Sequence, residues 1–309
     1  MKQKLSNIII LVALAMAAVG CSTVQKIINT GDAQFIYERA KEYYADEKWS
    51  KAYALLEVCE PYYRGTMRED SVTFYKARCS FKDGDYYSAA EMLDTFRRTF
   101  SRSVFIEDAE AMYAICLYNM CPSPERDQST TSQAIIAISE YMAHYPESEQ
   151  LVLFKDMTAD LTWRLHEKAY INAYTYYKIG RYNAAIIAFR NALKMYSDTH
   201  RREDLLYHIT MASFKLAENS VEEKRLDRYM STLDAYYSFV MEFPESKYSK
   251  EMEQVAEVTK RYIEKNKQGE YRKTIFWEVA MQYNDSHCKD SHSEKQVQKE
   301  EENNNEIIT

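Results

Sequence analysis

The chain has 309 residues, only 6 of them Gly and 5 Pro, with 46% hydrophobic and 28% charged side chains. Breakers this scarce exclude collagen, Gly/Ser linkers and turn-rich β-sandwiches, leaving a mostly helical globular chain with apolar mass for a sizeable core. A formal net charge of −7 argues against a nucleic-acid-binding domain, while 27 Tyr, each an apolar body with a wet hydroxyl, suit helix seams and binding grooves.

Lys2 and Lys4 precede an uncharged apolar run from Ile8 to Val19, followed by Gly20-Cys21. This is the pattern of an export signal over residues 1–20. The run is shorter than the ~20 residues of a spanning helix, and no second run follows, so the mature chain is expected to have no transmembrane helix. The sequence Ala18-Val19-Gly20-Cys21 resembles a bacterial lipobox, although Ala18 stands where that motif usually has Leu. The resemblance implies cleavage before Cys21, diacylglycerol on its sulfur, an N-acyl (palmitate-type) chain, and residues 21–32 as a lipidated linker. Acyl chains contribute about 0.8 kcal/mol per buried methylene, enough together to hold a soluble domain on a bilayer. Ser22 to Lys26 lack the acidic run that resembles a surface-export signal, so the domain is expected to face the periplasm.

The middle of the chain repeats, and the repeats decide the fold. In 33–66, Ala40 and Tyr43 fall on one predicted helix, and Trp49, Ala52, Leu56 and Cys59 on the next, with Pro61 near its end. Residues 70–103 match with Ala77, Gly84, Tyr86, Ala89, Leu93 and Phe96. Residues 166–199 match with Ala173, Tyr176, Gly180, Tyr182, Ala185, Phe189 and Ala192. Gly84 and Gly180 stand between helices, where a φ > 0 residue ends the first one. Two further copies carry insertions. One, 107–148, has a long loop with Pro122 and Pro124 before a helix from Ser132; the other, 203–246, has a polar loop at 217–226. They end alike, in Tyr145-Pro146-Glu147-Ser148 and Phe243-Pro244-Glu245-Ser246. Small residues at fixed places let paired helices approach, as in the 34-residue tetratricopeptide (TPR) pattern that these segments resemble. The expected fold is all-α: an α-solenoid of about five TPR hairpins over 33–265, stacked into a superhelix with a concave groove. A segment at 150–165 and a capping helix over 247–283 would extend it. Residues 284–309 are acidic and polar, and are expected to be a disordered tail in which His287, Cys288 and His292 are incidental rather than metal ligands.

The lipoprotein signal, the five repeats, the elaborated third repeat with Asp127-Gln128, and the Tyr/Phe-Pro-Glu-Ser endings together resemble the BamD family over roughly 21–265. The phrase Leu216-Ala217-Glu218-Asn219-Ser220 with Lys224 and Arg228-Tyr229 is similar to its Bacteroidetes branch. The resemblance implies an outer membrane lipoprotein of the β-barrel assembly (BAM) machinery, docked on the periplasmic domains of a BamA-type barrel protein and other subunits, and binding unfolded outer membrane proteins.

In a TPR, positions 5, 9 and 12 of the first helix line the concave face. The first repeat then offers Tyr37, Lys41 and Tyr44, and the second Phe74, Arg78 and Phe81 with Lys82 beside them; Tyr118 is a candidate extension. Aromatic, basic, aromatic is a chemistry that grips an aromatic side chain and a terminal carboxylate. Thr73 and Ser80, however, fall at inward positions of the second repeat that prefer larger apolar residues. The alternative for all of these is an ordinary helix surface with aromatics in the seams. For partner docking the resemblance points to Phe214 and Lys215, with Arg201 and Arg202 as rim charges.

Enzyme signatures are absent: there is no His-Glu-x-x-His, Gly-x-Ser-x-Gly or phosphate-binding Gly loop, and no catalytic, metal or cofactor residue is assigned. His144, His166, His200 and His208 read as surface or seam residues. Cys59 and Cys79 read as core, and Cys116 and Cys121 permit a disulfide without requiring one. The competing readings are a TPR lipoprotein scaffold for other cell-envelope or peptidoglycan machinery, and a murein hydrolase, for which the length leaves no catalytic domain.

Overall fold

The structure, a computed structural model, describes residues 23–267. The signal segment, Cys21 and the 284–309 tail lie outside the described residues, as does the expected capping helix beyond 267. Every regular element among the described residues is helical. None of these helices is long and apolar enough to cross a membrane.

A short helix α1 (23–28) leads into the first hairpin, α2 (Ala33–Ala45) and α3 (Trp49–Tyr63). The second is α4 (Glu69–Lys82) with α5 (Tyr86–Thr99), and the third α6 (Ile106–Met120) with α7 (Ser129–His144). Then come α8 (Leu151–Lys178) and α9 (Tyr182–Met195), followed by α10 (Arg202–Glu218), α11 (Glu222–Glu242) and α12 (249–267). The chain divides into two compact units, one ending at Lys168 and one beginning at Ala169.

The hairpins form for reasons visible in their residues. Asp32 and Asp85 cap α2 and α5: the Asp32 carboxylate accepts from the amides of Gln34 and Phe35 at 3.0 and 3.1 Å, and Asp85 from Ser88 at 3.1 Å. Gly84 and Gly180 take φ of +83° and +75° just past α4 and α8, a left-handed conformation that ends the helix without a Cβ penalty. Ala40, Ala77 and Ala173 on first helices, and Ala52, Ala89 and Ala185 on second helices, are fully buried, so paired backbones approach closely. Between these contacts Leu55, Leu93, Phe96, Phe189 and Phe239 are fully enclosed, each worth about 1.5–3 kcal/mol of burial.

Each unit has its own core. In the first, Ile27, Ile36 and Leu56 gather around α1 to α3, Phe74 and Phe96 around α4 to α6, and Ile138, Tyr141 and Phe154 around α6 to α8. In the second, Phe189 and Ile209 join α8, α9 and α10, and Phe239 and Met252 join α11 and α12.

Two sequence expectations shift in detail. Residues 150–165 are no separate segment but the first part of α8, which runs unbroken into the first helix of the fourth repeat. The polar loop expected at 217–226 shrinks to three residues, because α10 continues to Glu218 and Arg225 donates back to the Ser220 carbonyl at 2.8 Å. The long third-repeat loop is pinned: buried Gln128 donates to the Ser123 carbonyl at 2.8 Å, Arg164 to the Cys121 carbonyl at 2.9 Å, and Lys168 to the Glu125 carbonyl at 2.8 Å. The Pro-Glu-Ser endings have a mechanical role, since the Ser148 and Ser246 hydroxyls accept from the amides of Gln150 and Tyr248 and tie to Tyr141 and Glu203. Cys59, Cys79 and Cys116 are buried free thiols, pushed up by burial to about 11, about 12 and about 12; half-buried Cys121 is also free.

Candidate functional site

The first unit holds a cavity of about 430 Å³ at the seam between its first two hairpins. Helix α2 contributes Tyr37, Ala40, Lys41 and Tyr44, one face of the helix by spacing, and α3 adds Leu56. Helix α4 contributes Ser71 and Tyr75 at i and i+4, and Phe105 stands just ahead of α6. Tyr44 meets Trp49 and Tyr75 edge-on, both at 5.1 Å between ring centroids, and Tyr75 meets Phe105 at 5.8 Å, so the aromatic walls brace one another.

Cations surround these rings. The Lys41 ammonium is 5.3 Å from the Tyr37 ring and 2.7 Å from Glu38, whose hydrogen bond raises the Lys41 pKa and keeps it charged. Arg68 lies 5.9 Å over the other approach to Tyr37 and donates to Gln34 at 2.8 Å. Arg78 sits 6.0 Å from the Tyr44 ring, with its buried Nε lacking a hydrogen-bond partner among the described residues. Burial raises the phenol pKa of Tyr37 and Tyr44, so both rings stay neutral. The lining carries no carboxylate, imidazole or thiol. Its chemistry is that of a grip: apolar walls that take a ring, and positive charge where a carboxylate would lie.

The sequence-predicted residues divide. Tyr37, Lys41 and Tyr44 come together on the cavity, with Arg78 behind Tyr44. Phe74 and Phe81 do not line it. Phe74 is 0% exposed and stacks on Phe105 at 4.6 Å, and Phe81 is half-buried against Tyr86. Lys82 is exposed at the end of α4, and Tyr118 packs in the third hairpin with its hydroxyl donating to Asp160 at 3.0 Å. Ser71, Tyr75 and Phe105 take the places expected of the second-repeat aromatics. The polar residues at 73 and 80 signalled that the face of α4 turned to α2 runs through 71, 75 and 78.

The docking residues are also redirected. Phe214 is 8% exposed and packs on Tyr229, so it is core. Lys215 pairs with Glu218 at 2.9 Å, Arg201 with Asp204 at 2.8 Å, and Arg202 with Glu242. These charges are engaged within their own unit.

The second unit carries an equivalent seam, filled rather than open. Tyr170, Tyr174 and Tyr177 ladder along α8 with near-parallel rings, and the buried His208 of α10 lies against all three. Phe189 stacks on its ring at 5.5 Å and Tyr207 meets it edge-on at 4.9 Å. The His208 Nδ1 lies 2.7 Å from the Asp204 carbonyl, and burial pushes the imidazole pKa down. Burial also acts to raise the Asp204 carboxyl, but hydrogen bonds from Arg201 and Tyr248 outweigh it and hold that group below its usual range. No cluster of three or more metal-ligating side chains occurs among the described residues.

These features define a helical-hairpin repeat protein with an aromatic-lined seam in its first unit. The family model for YfiO, outer membrane lipoprotein, matches residues 29–228, so the chain belongs to that family, as its resemblance to BamD implied. Among solved structures it is similar to the TPR2AB-domain:pHSP90 complex of yeast Sti1, at 12% identity and a TM-score of 0.35, covering 74% of this chain and 98% of that one. No curated protein sequence matches the chain.

Proposed function

We propose that this outer membrane lipoprotein is a noncatalytic scaffold and substrate receptor of the β-barrel assembly machinery, anchored through acylated Cys21 and facing the periplasm. The observation that carries the proposal is the first-unit cavity, where Tyr37, Tyr44, Tyr75 and Phe105 surround apolar space beside Lys41. Its substrate is the end of an unfolded barrel-protein chain, an aromatic side chain entering the rings and a terminal carboxylate meeting Lys41 and Arg68. Family membership supports the setting, and the cavity chemistry supports the substrate class.

Docking to a BamA-type periplasmic domain is assigned to the second unit. With Phe214 buried and Arg201, Arg202 and Lys215 paired internally, the outward face of α11 becomes its surface. There Met230, Tyr237 and Met241 recur at helical spacing with their side chains in solvent, Met241 at 87% exposure.

Affinity purification from gently solubilised outer membranes, followed by mass spectrometry, tests this reading. A BamA-type barrel protein should co-purify stoichiometrically, and Met241→Asp should deplete it. Recovery of peptidoglycan or division proteins alone would overturn the assembly role while leaving the fold intact.

A further inference from the structure

The two ends of the first unit's hairpins differ. Turns within hairpins carry Asp46, Glu47, Asp83, Asp85, Glu125 and Asp127 against two cations, Lys48, which is paired with Asp46, and Arg126. Two loops between hairpins, 64–68 and 100–105, instead carry Arg64, Arg68 and Arg102, while the connection at 145–150 carries Glu147 and Glu149. The two loops also carry two of the most exposed apolar side chains described, Met67 at 99% and Val104 at 88%. Arg64 and Arg102 join no ion pair among the described residues, and the bond from Arg68 goes to a neutral amide, Gln34. Nearby carboxylates are turned to the loops themselves: Glu69 accepts from the Gly65 amide at 2.8 Å and Asp70 from the Ser103 hydroxyl at 2.7 Å. Glu107 accepts from the Tyr141 hydroxyl, and Asp108 stands exposed in α6. Met67 and Arg102 border one open cleft of about 370 Å³, so the two loops form one edge.

This edge is the end from which the chain emerges. Val24, Ile27 and Ile28 of α1 pack into the first core, fixing where the chain enters the unit. The start of α2 is held to the 64–68 loop by the Arg68 bond to Gln34 and by the Tyr63 hydroxyl, 3.2 Å from the same amide oxygen. Cys21 lies two residues ahead of α1, and two residues span at most about 7 Å. A lipid on Cys21 therefore holds α1, which leads into this edge, near the headgroups.

We infer that the 64–68 and 100–105 loops form a second membrane contact, with Met67 and Val104 entering the boundary between headgroups and acyl chains and Arg64 and Arg102 meeting anionic phospholipid phosphates. It rests on the reading that Cys21 is acylated, and its role is to orient the unit: one tether leaves a domain free to tumble, whereas a tether plus an edge fixes its face to the bilayer.

The test uses residues 22–309 with a hexahistidine segment in place of 1–21, held on nickel-chelating vesicles of phosphatidylethanolamine and phosphatidylglycerol containing brominated lipid. This attachment does not depend on acylation, and palmitate labelling of the native chain with its Cys21→Ser variant reports the anchor separately. Cys121 and Cys288 are replaced by Ser, and one fluorophore is placed at Met67→Cys, Val104→Cys or, at the acidic end, Tyr87→Cys, where the native side chain is 74% exposed. Labels at 67 and 104 should be quenched roughly two-fold or more by the brominated lipid, and the label at 87 hardly at all. Equal quenching at all three positions, or none at 67 and 104, overturns the contact whether or not Cys21 proves acylated.

Discussion

The α2/α4 seam of the first unit and the α8/α10 seam of the second are built on one plan with opposite outcomes. In each, an aromatic residue one turn before the buried alanine of the first helix faces an arginine at the start of the next: Tyr37 with Arg68, and Tyr170 with Arg201 at 4.8 Å. In the first, Lys41 and Tyr44 follow and Ser71 and Tyr75 face them, leaving a cavity. In the second, Tyr174 and Tyr177 follow and Asp204 and His208 face them, and His208 fills the space. Between α4 and α6 a third solution appears, in which Phe105 replaces the arginine and stacks on Phe74. A repeat plan fixes where a seam lies; one or two side chains decide whether it stays open or closes into core.

The comparison can be broken by substitution. The largest effect is expected where the seam is plugged: Phe74→Ala and Phe189→Ala should each lose about 3–5 kcal/mol in urea unfolding, because neighbouring helices cannot collapse onto the hole. Tyr44→Ala, on the open seam, should lose clearly less. Arg68→Phe imports the Phe105 plug into the first seam; it should weaken peptide capture about ten-fold or more, equivalent to about 1.4 kcal/mol, with little change in unfolding. Lys41→Glu with Arg78→Glu should weaken capture without unfolding the repeats.

His208 makes the seams differ in acid. Its folded pKa lies below that of the unfolded chain, near 6.5, so the unfolded chain binds the proton first as pH falls. Stability of the second unit should be complete above that value and decline as pH drops towards the folded pKa. Hydrogen exchange in α10 measures this, and His208→Phe should flatten the dependence while exchange in α2 is unaffected. At the turns the two units should respond alike: Gly84→Ala and Gly180→Ala place a Cβ at positive φ and should cost about 1–2 kcal/mol each.

Much of this plan was legible in the sequence. Ala40, Ala77 and Ala173 with Gly84 and Gly180 mark helix contacts and helix ends, because small size and positive φ are demands that few residues meet. Tyr37, Lys41 and Tyr44 were legible for a different reason, their helical spacing, which puts them on one face. Phe74 was not, since helical spacing cannot say which ring from a neighbouring loop will stack on it; the signal lay in Phe105, at the helix-start position that Arg68 and Arg201 hold elsewhere. The same holds for contacts of the docking candidates. Phe214 and Arg202 acquire their roles from Tyr229 and Glu242, which a linear motif does not bring together.

The central claim is that the open seam receives a chain end carrying an aromatic ring and a carboxylate. Fluorescence anisotropy with a labelled peptide ending in Phe, as free acid and as amide, tests it against the full-length protein and its Arg68→Phe variant. The acid should bind, with about ten-fold weaker binding on amidation or on plugging the seam. Equal affinity for acid and amide, undiminished in the plugged variant, would contradict it.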